Sequence, residues 1–260
     1  MIRSLMSAAS GMQAQQLNID TIANNLANVN TAGFKKSQVL FEDMLYENIR
    51  APGGTQGGGQ SVPAGAQVGL GARTVSIAKV FSPGKFQVTN RDLDVAIEGQ
   101  GFFEVTLPGS DKAYTRDGAF SKTAEGKLVN ADGYEITGGP TLSSNATAVT
   151  IAPNGTVSEV VNGITAEKGT ISLFRFVNPS GLSSIGRNLF QESSASGTAT
   201  SGVGGVDGFG TIQQGILETS NVEVVEEMVN LIVAQRAYEV NTKAVQASDE
   251  MLQATNNMKR

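Results

Sequence analysis

Large apolar side chains recur every seven residues at both ends of the chain and lose that period between them. Leu5, Met12, Ile19 and Leu26 are seven apart, and Ala8, Gln15, Ile22 and Val29 follow each by three. This a/d stripe predicts a helix over residues 1–33. Gly11 weakens it by up to ~1 kcal/mol relative to alanine, and Gly33 is a candidate C-terminal stop. At the other end Val224, Leu231, Tyr238, Val245 and Leu252 repeat the step, with Met228 beside them. A second row runs through Val225, Val229, Ile232, Val240, Ala244, Ala247 and Met251. Two apolar rows on one helix predict contacts from several sides. Ser220 and Asn221 are capping candidates, and Glu223, Glu226 and Glu227 suit the positive end of the helix dipole.

The middle of the chain breaks into short β-prone runs separated by turns. The runs 72–81, 94–107, 113–120, 126–137, 148–161 and 169–177 are β-prone. They are punctuated by Asp117-Gly118, Asp132-Gly133 and Asn154-Gly155. Such hairpin signals predict antiparallel strands. Residues 51–71 and 193–210 are rich in Gly, Ser and Thr and read as connectors, the first flexible and the second a solvated hinge. The expected fold is therefore α+β, with long N- and C-terminal helices paired and a central antiparallel β-rich domain. The division is an N-terminal assembly helix over 1–33, an extended connector over 34–71, a β-rich domain over 72–192, a second connector over 193–215 and a C-terminal assembly helix over 216–260.

The N-terminal helix is short of charge. From Ser4 to Asn30 the only charged residue is Asp20, and four amides crowd its end at Asn24, Asn25, Asn28 and Asn30. An amide with a partner is far cheaper to bury than a charge. The stretch thus suits a face packed against other copies of the chain, each amide finding a hydrogen-bond partner, and a lone terminal helix is not expected to be stable.

Composition narrows the chemistry. Charged residues make up 17% and the formal net charge is −5, which argues against a protein that neutralises nucleic-acid phosphates. There is no cysteine, so no disulfide or thiol chemistry, and no histidine, the commonest acid–base group and metal ligand. No apolar run is long enough to span a membrane, and the start lacks the apolar core of a cleaved signal peptide. Asp92 with Asp94, and Glu226 with Glu227, could be offered as catalytic pairs, but nothing in the sequence puts either in a cleft. The "GQGFF" stretch (99–103) lacks the spacing of a phosphate loop and reads as a tight turn with buried Phe102 and Phe103. Arg236 is a candidate subunit-bridging charge. No catalytic, cofactor-binding or metal-binding residues are assigned.

Three stretches carry a family resemblance. "SGMQAQQLNIDTIANNLANVNTAGFKKS" near the start, "DVAIEGQGFFEV" with "YTRDGAF" in the middle, and "QGILETSNVEVVEEMVNLIVAQRAYEVNTKAVQASDEML" near the end resemble, in order, the signatures of bacterial flagellar axial proteins of the rod and hook class. Length and the segment 46–65 point to a subunit of the distal rod. A proximal rod or short hook-type subunit is the alternative within the class. A β-rich surface adhesin or glycan-binding module with oligomerising helices is the alternative outside it.

The resemblance implies a structural, self-assembling subunit, not an enzyme. It would leave the cell through the flagellar type III export apparatus without signal cleavage. It would then build a hollow helical tube that carries torque to the hook, its helices forming an inner layer and its β domain an outer one. Implied partners are further copies of itself, proximal rod proteins, the hook protein, and the peptidoglycan and outer-membrane ring proteins. No nucleic acid and no membrane insertion are implied, and the implied location is the basal-body rod crossing the periplasm. The expected assembly interface comprises Leu5, Met12, Ile19, Ile22, Asn25, Leu26, Asn28, Val29, Val224, Met228, Leu231, Ile232, Tyr238, Val245 and Leu252. The segment marked by Tyr46, Pro52, Gly57 and Pro63 is implied to lock neighbouring subunits and stiffen the rod; its run "GGTQGGG" is unusually glycine-rich.

Overall fold

The computed structural model describes residues 2–50, 55–56, 60–61 and 65–258. The chain divides into two compact units. One comprises Met1–Leu26, Ser37–Ala78 and Val224–Arg260, and the other Ala27–Lys36 and Lys79–Glu223.

The first unit holds two helices, α1 (Ile2–Ala27) and α2 (Val224–Met258), and a β-ribbon. In the ribbon Ser37–Asp43 pairs with Ala72–Lys79, Tyr46–Arg50 pairs antiparallel with Ala66–Gly69, and Thr55–Gln56 pairs with Gln60–Ser61. Residues 34–71 are therefore not the extended connector that their composition suggests, since the strands on either side of 51–64 form ladders. The short apolar run Val39–Phe41 in "SQVLFED" is the signal for the first of them. Pro52, Gly57 and Pro63 lie outside the described residues. Gly71, with φ +123°, lets the ribbon approach α1, since a Cβ there would stand 2.0 Å from the Ser10 hydroxyl.

The second unit is antiparallel β, as the hairpin pattern predicts. Its largest sheet has seven strands in the order Ser121–Lys122, Leu128–Val129, Glu135–Ile136, Phe103–Thr106, Lys112–Thr115, Leu189–Gln191 and Ser183–Gly186. Ala148–Ile151, Thr156–Val161 and Ile164–Thr170 form a three-stranded sheet. Val95–Glu98 pairs with Thr211–Gln214, and Phe86–Val88 with Ile216–Glu218.

Two clusters fill this unit. The larger includes Val95, Ile97, Phe103, Val105, Phe120, Val157, Leu173 and Ile212, all essentially without exposed surface. Phe103 meets Phe120 edge to face at 5.1 Å. The smaller gathers Phe102, Tyr114, Phe176, Leu182 and Phe190. Phe102 and Phe103, side by side in a strand context, point to opposite faces and so serve one cluster each.

The connector expected over 193–210 is not a solvated hinge. Thr200–Gly202 pairs with Leu173–Arg175, and Ser196 is fully buried, its hydroxyl bonded to the Ser193 carbonyl. Small residues are needed there because the backbone packs closely. A Cβ on Gly202 would fall 2.2 Å from the Phe209 ring.

Candidate assembly surface

In the first unit α1 and α2 run antiparallel, and three contacts fix their register. The Ser4 and Ser248 hydroxyls are 3.5 Å apart, a Cβ on Gly11 would stand 2.9 Å from Asn241 Nδ2, and Asn25 Nδ2 lies 3.4 Å from Glu227 Oε2. Each step of seven residues up α1 matches seven down α2, which places Asn18 opposite Ala234.

The row of closest approach is therefore small and polar: Ser4, Gly11, Asn18 and Asn25 against Ser248, Asn241, Ala234 and Glu227. The apolar stripe lies beside it. Ile22 is buried, and Leu5, Met12, Ile19 and Leu26 are half-buried; Met12 Sδ accepts a bond from Thr242 Oγ1 at 3.6 Å. Small side chains let helix axes come close, so the heptad of large residues marks the broad inner face but not its centre. Leu231, Val245 and Leu252 are half-buried, while Val224 and Tyr238 are exposed.

Of the four amides Asn25 is the buried one, and its partner lies in its own chain. Its side chain is buried, its Nδ2 donates to the Ser37 carbonyl at 2.9 Å, and its Oδ1 accepts from the Ser37 N–H at 2.9 Å. The amide imitates a strand and starts the ribbon. Asn28 and Val29 lie beyond the helix, which ends at Ala27, and both are half-buried in the β unit. Gly33, expected as a helix stop, instead has φ +69° at a close backbone crossing: a Cβ would fall 2.6 Å from the Asp117 nitrogen.

The opposite face of α2 is apolar and open. Val225 is 75% exposed and Val240 64%, and Met228, Val229, Ile232, Val233 and Met251 are each more than half exposed. Arg236 sits on the same face and forms no ion pair among the described residues. The ribbon adds Leu40, Phe41, Leu45, Tyr46, Ile49, Val75 and Ile77, with Leu45 82% exposed. Tyr46 has its hydroxyl pKa raised by a hydrogen bond to the Asp43 carboxylate and that group's charge. A groove of about 560 Å³ runs between α1 at Met6, Gln13 and Leu17 and the ribbon at Met44, Leu70 and Thr74. Isolated apolar residues on a surface need no explanation, but a continuous helix face and a ribbon of them mark a contact site. The sequence hides the ribbon as a surface, because its glycine-rich middle has the composition of a connector.

Burial splits both acidic pairs. Asp94 is buried, 3.5 Å from the Arg91 guanidinium, and Asp92 is exposed. Glu227 is buried against Asn25, whereas Glu226 is exposed. No group of three or more metal-ligating side chains occurs among the described residues, and no described helix is long and apolar enough to cross a membrane.

Two long terminal helices, a β unit between them in the sequence and an apolar surface left open define a subunit built to pack against further chains. Residues 5–35 match the family described as flagella basal body rod protein, residues 96–159 the FlgE/F/G D1 domain of the flagellar hook protein, and residues 213–258 the C-terminal region of flagellar basal body rod FlgEFG proteins. The flagellar basal-body rod protein FlgG of Borreliella burgdorferi is 47% identical over the whole of both chains. That of Buchnera aphidicola from Acyrthosiphon pisum is 46% identical over 97% of this chain and 98% of its own. That of Caulobacter vibrioides is 44% identical over 99% and 100%. The chain belongs to the FlgG family of flagellar basal-body rod proteins. It is a structural component of the basal body that assembles with other rod and hook parts, not an enzyme.

Proposed function

We propose that the chain is the subunit of the distal rod, stacking with copies of itself into a hollow helical tube that passes torque to the hook. The exposed apolar face of α2 carries this reading. Sixteen or so residues of helix, from Val225 to Val240, present large apolar side chains to water, about 24 Å at ~1.5 Å per residue. At roughly 25 cal/mol per Å² of apolar surface covered, such a face strongly favours association.

The face and the groove beside α1 are different surfaces of one unit. A contact joining one to the other is heterologous and propagates into a helix instead of closing a dimer. The interface residues from Leu5 to Leu252 then divide by role. Ile22, Asn25 and Leu231 hold the unit together, while Met228 and Ile232 meet neighbours. In this reading the helices line the channel and the β unit faces outward. Proximal rod and hook proteins abut the two ends of the tube, the ring proteins surround it, and the type III apparatus delivers the chains. The segment bracketed by Tyr46 and Pro63 acts between neighbours.

Electron microscopy of the purified protein at high concentration tests the proposal. Straight hollow tubes are expected; closed dimers or rings as the only assembled species would refute it.

A further inference from the structure

The β unit contains a buried ion cluster built from three distant parts of the chain. Lys35 Nζ donates to Glu218 Oε1 at 2.6 Å and to the Ser82 carbonyl at 2.8 Å, and neither charged side chain has any exposed surface. Glu218 Oε1 also accepts from the Gly84 N–H at 2.8 Å. On its other side Glu218 Oε2 lies 3.5 Å from Arg116 Nη1. Arg116 is 3% exposed and donates to the Ile97 and Gly99 carbonyls at 3.2 and 2.6 Å. One carboxylate thus stands between two buried cations.

The cluster joins two straps. Residues 27–36 run on from the end of α1, and residues 216–223 precede α2. Gly33 N–H donates to the Glu218 carbonyl at 2.8 Å, and Lys36 N–H donates to Asn221 Oδ1 at 2.7 Å. Asn221 Nδ2 continues to the Val80 carbonyl at 2.8 Å. The first strap therefore rests on the second.

The charges make this dependence one-sided. Burying a charge without a partner costs several kcal/mol, and removing one member of a buried pair exposes that cost. Glu218 compensates two cations. Lys35 compensates only an anion that Arg116 would still neutralise. Burial lowers the pKa of both Lys35 and Arg116, while Glu218 acts in the opposite sense on each.

We infer that Glu218 is a latch: the strap 27–36 docks on the β unit only when the strap 216–223, from the far end of the chain, has placed this carboxylate beneath it. The β core itself does not depend on the latch, because Phe103, Phe120, Val157 and Leu173 pack without it. A chain whose C-terminal strap is not yet seated holds its N-terminal strap open. The latch works within one chain and so stands apart from the rod reading.

Hydrogen exchange on the full chain tests it, read separately over 27–36 and over the core strands Phe103–Thr106 and Lys112–Thr115. In Glu218→Gln the strap should exchange about tenfold faster or more, as expected for an uncompensated buried lysine, while the core strands, beside the stranded Arg116, accelerate by a clearly smaller factor. Lys35→Met alone should leave the strap protected, because Glu218 keeps Arg116. Lys35→Met combined with Glu218→Gln should restore protection, because the cation that drove the strap off is gone. Unchanged strap protection in Glu218→Gln would overturn the latch. So would equal release in Lys35→Met, or loss of strap and core together in Glu218→Gln without recovery in the double variant.

Discussion

Asn25 and Ser37 exchange two hydrogen bonds of 2.9 Å each, side-chain amide to backbone N–H and carbonyl, across twelve residues of sequence. A helix residue thereby acts as the first rung of a β-ribbon. No charged side chain offers a donor and an acceptor in that planar arrangement. Asn25→Ala should cost the first unit about 2–3 kcal/mol, two bonds lost in a buried setting. Asn25→Asp should cost at least as much, because it loses the donor and sets a carboxylate beside Glu227. Chemical denaturation checks both, with exchange at the Ser37 amide as the local readout.

Substitutions on the two faces of α2 should separate folding from assembly. Val229→Asp or Ile232→Asp changes an exposed position and should shift monomer stability by no more than about 0.5 kcal/mol, while abolishing tube formation. Leu231→Asp puts a charge in the half-buried seam and should destabilise the first unit as well. Sedimentation and microscopy read assembly; thermal melts read the fold.

Gly33→Ala should destabilise the β unit. Its φ of +69° costs a non-glycine residue roughly 1 kcal/mol, and the added Cβ would meet the Asp117 backbone at 2.6 Å. Neither can be relieved by turning a side chain. A loss of at least about 2 kcal/mol is expected in a urea melt.

Phe103→Ala removes a side chain with no exposed surface and deprives Phe120 of its edge-to-face partner. A loss of about 3–5 kcal/mol is expected. Near-ultraviolet circular dichroism should weaken through the change in aromatic packing.

Acid should reach the β unit through Glu159. The Ser143 hydroxyl at 2.6 Å, the Ser143 N–H at 2.7 Å and the Lys168 ammonium at 2.9 Å hold its carboxyl well below the ordinary 4.5, at about 2. A carboxyl with a lowered folded pKa contributes its full stabilisation above the unfolded value. That contribution is lost as pH falls from about 4.5 towards 2. In Glu159→Gln this part of the pH dependence should vanish, which parallel denaturation curves across that range would detect.

Much of the architecture is legible in the chain. A period of seven at both ends specifies helices, because side-chain direction follows directly from backbone geometry, and short β-prone runs cut by glycine turns specify antiparallel strands between them. Turn signals such as Asn154-Gly155 hold locally: Gly155 has φ +89°, and Asn154 Oδ1 accepts from the Thr156 N–H. The open apolar row of α2, from Val225 to Met251, can be named residue by residue from its spacing.

Other features depend on distance in space. The heptads of Leu5 and Ala8 point to the inner face of α1, but the closest approach falls on Ser4, Gly11 and Asn25, since what decides it is the size of the residues opposite on α2. Residues 34–71 have a connector's composition because glycines dominate their middle, yet the flanking strands find each other across that gap. Gly33 has the place of a helix stop, and its requirement comes from Asp117, more than eighty residues away.

Periodicity and turn chemistry, both local, determined by sequence alone that this protein has two terminal helices, a β-rich middle and an apolar row open to water. Tertiary structure alone decided where the helices touch, why Asn25 is an amide and that Lys35, Arg116 and Glu218 share one buried site. A burial cost or a partner's identity is a property of what surrounds a residue, and those surroundings are assembled from segments that the linear order keeps apart.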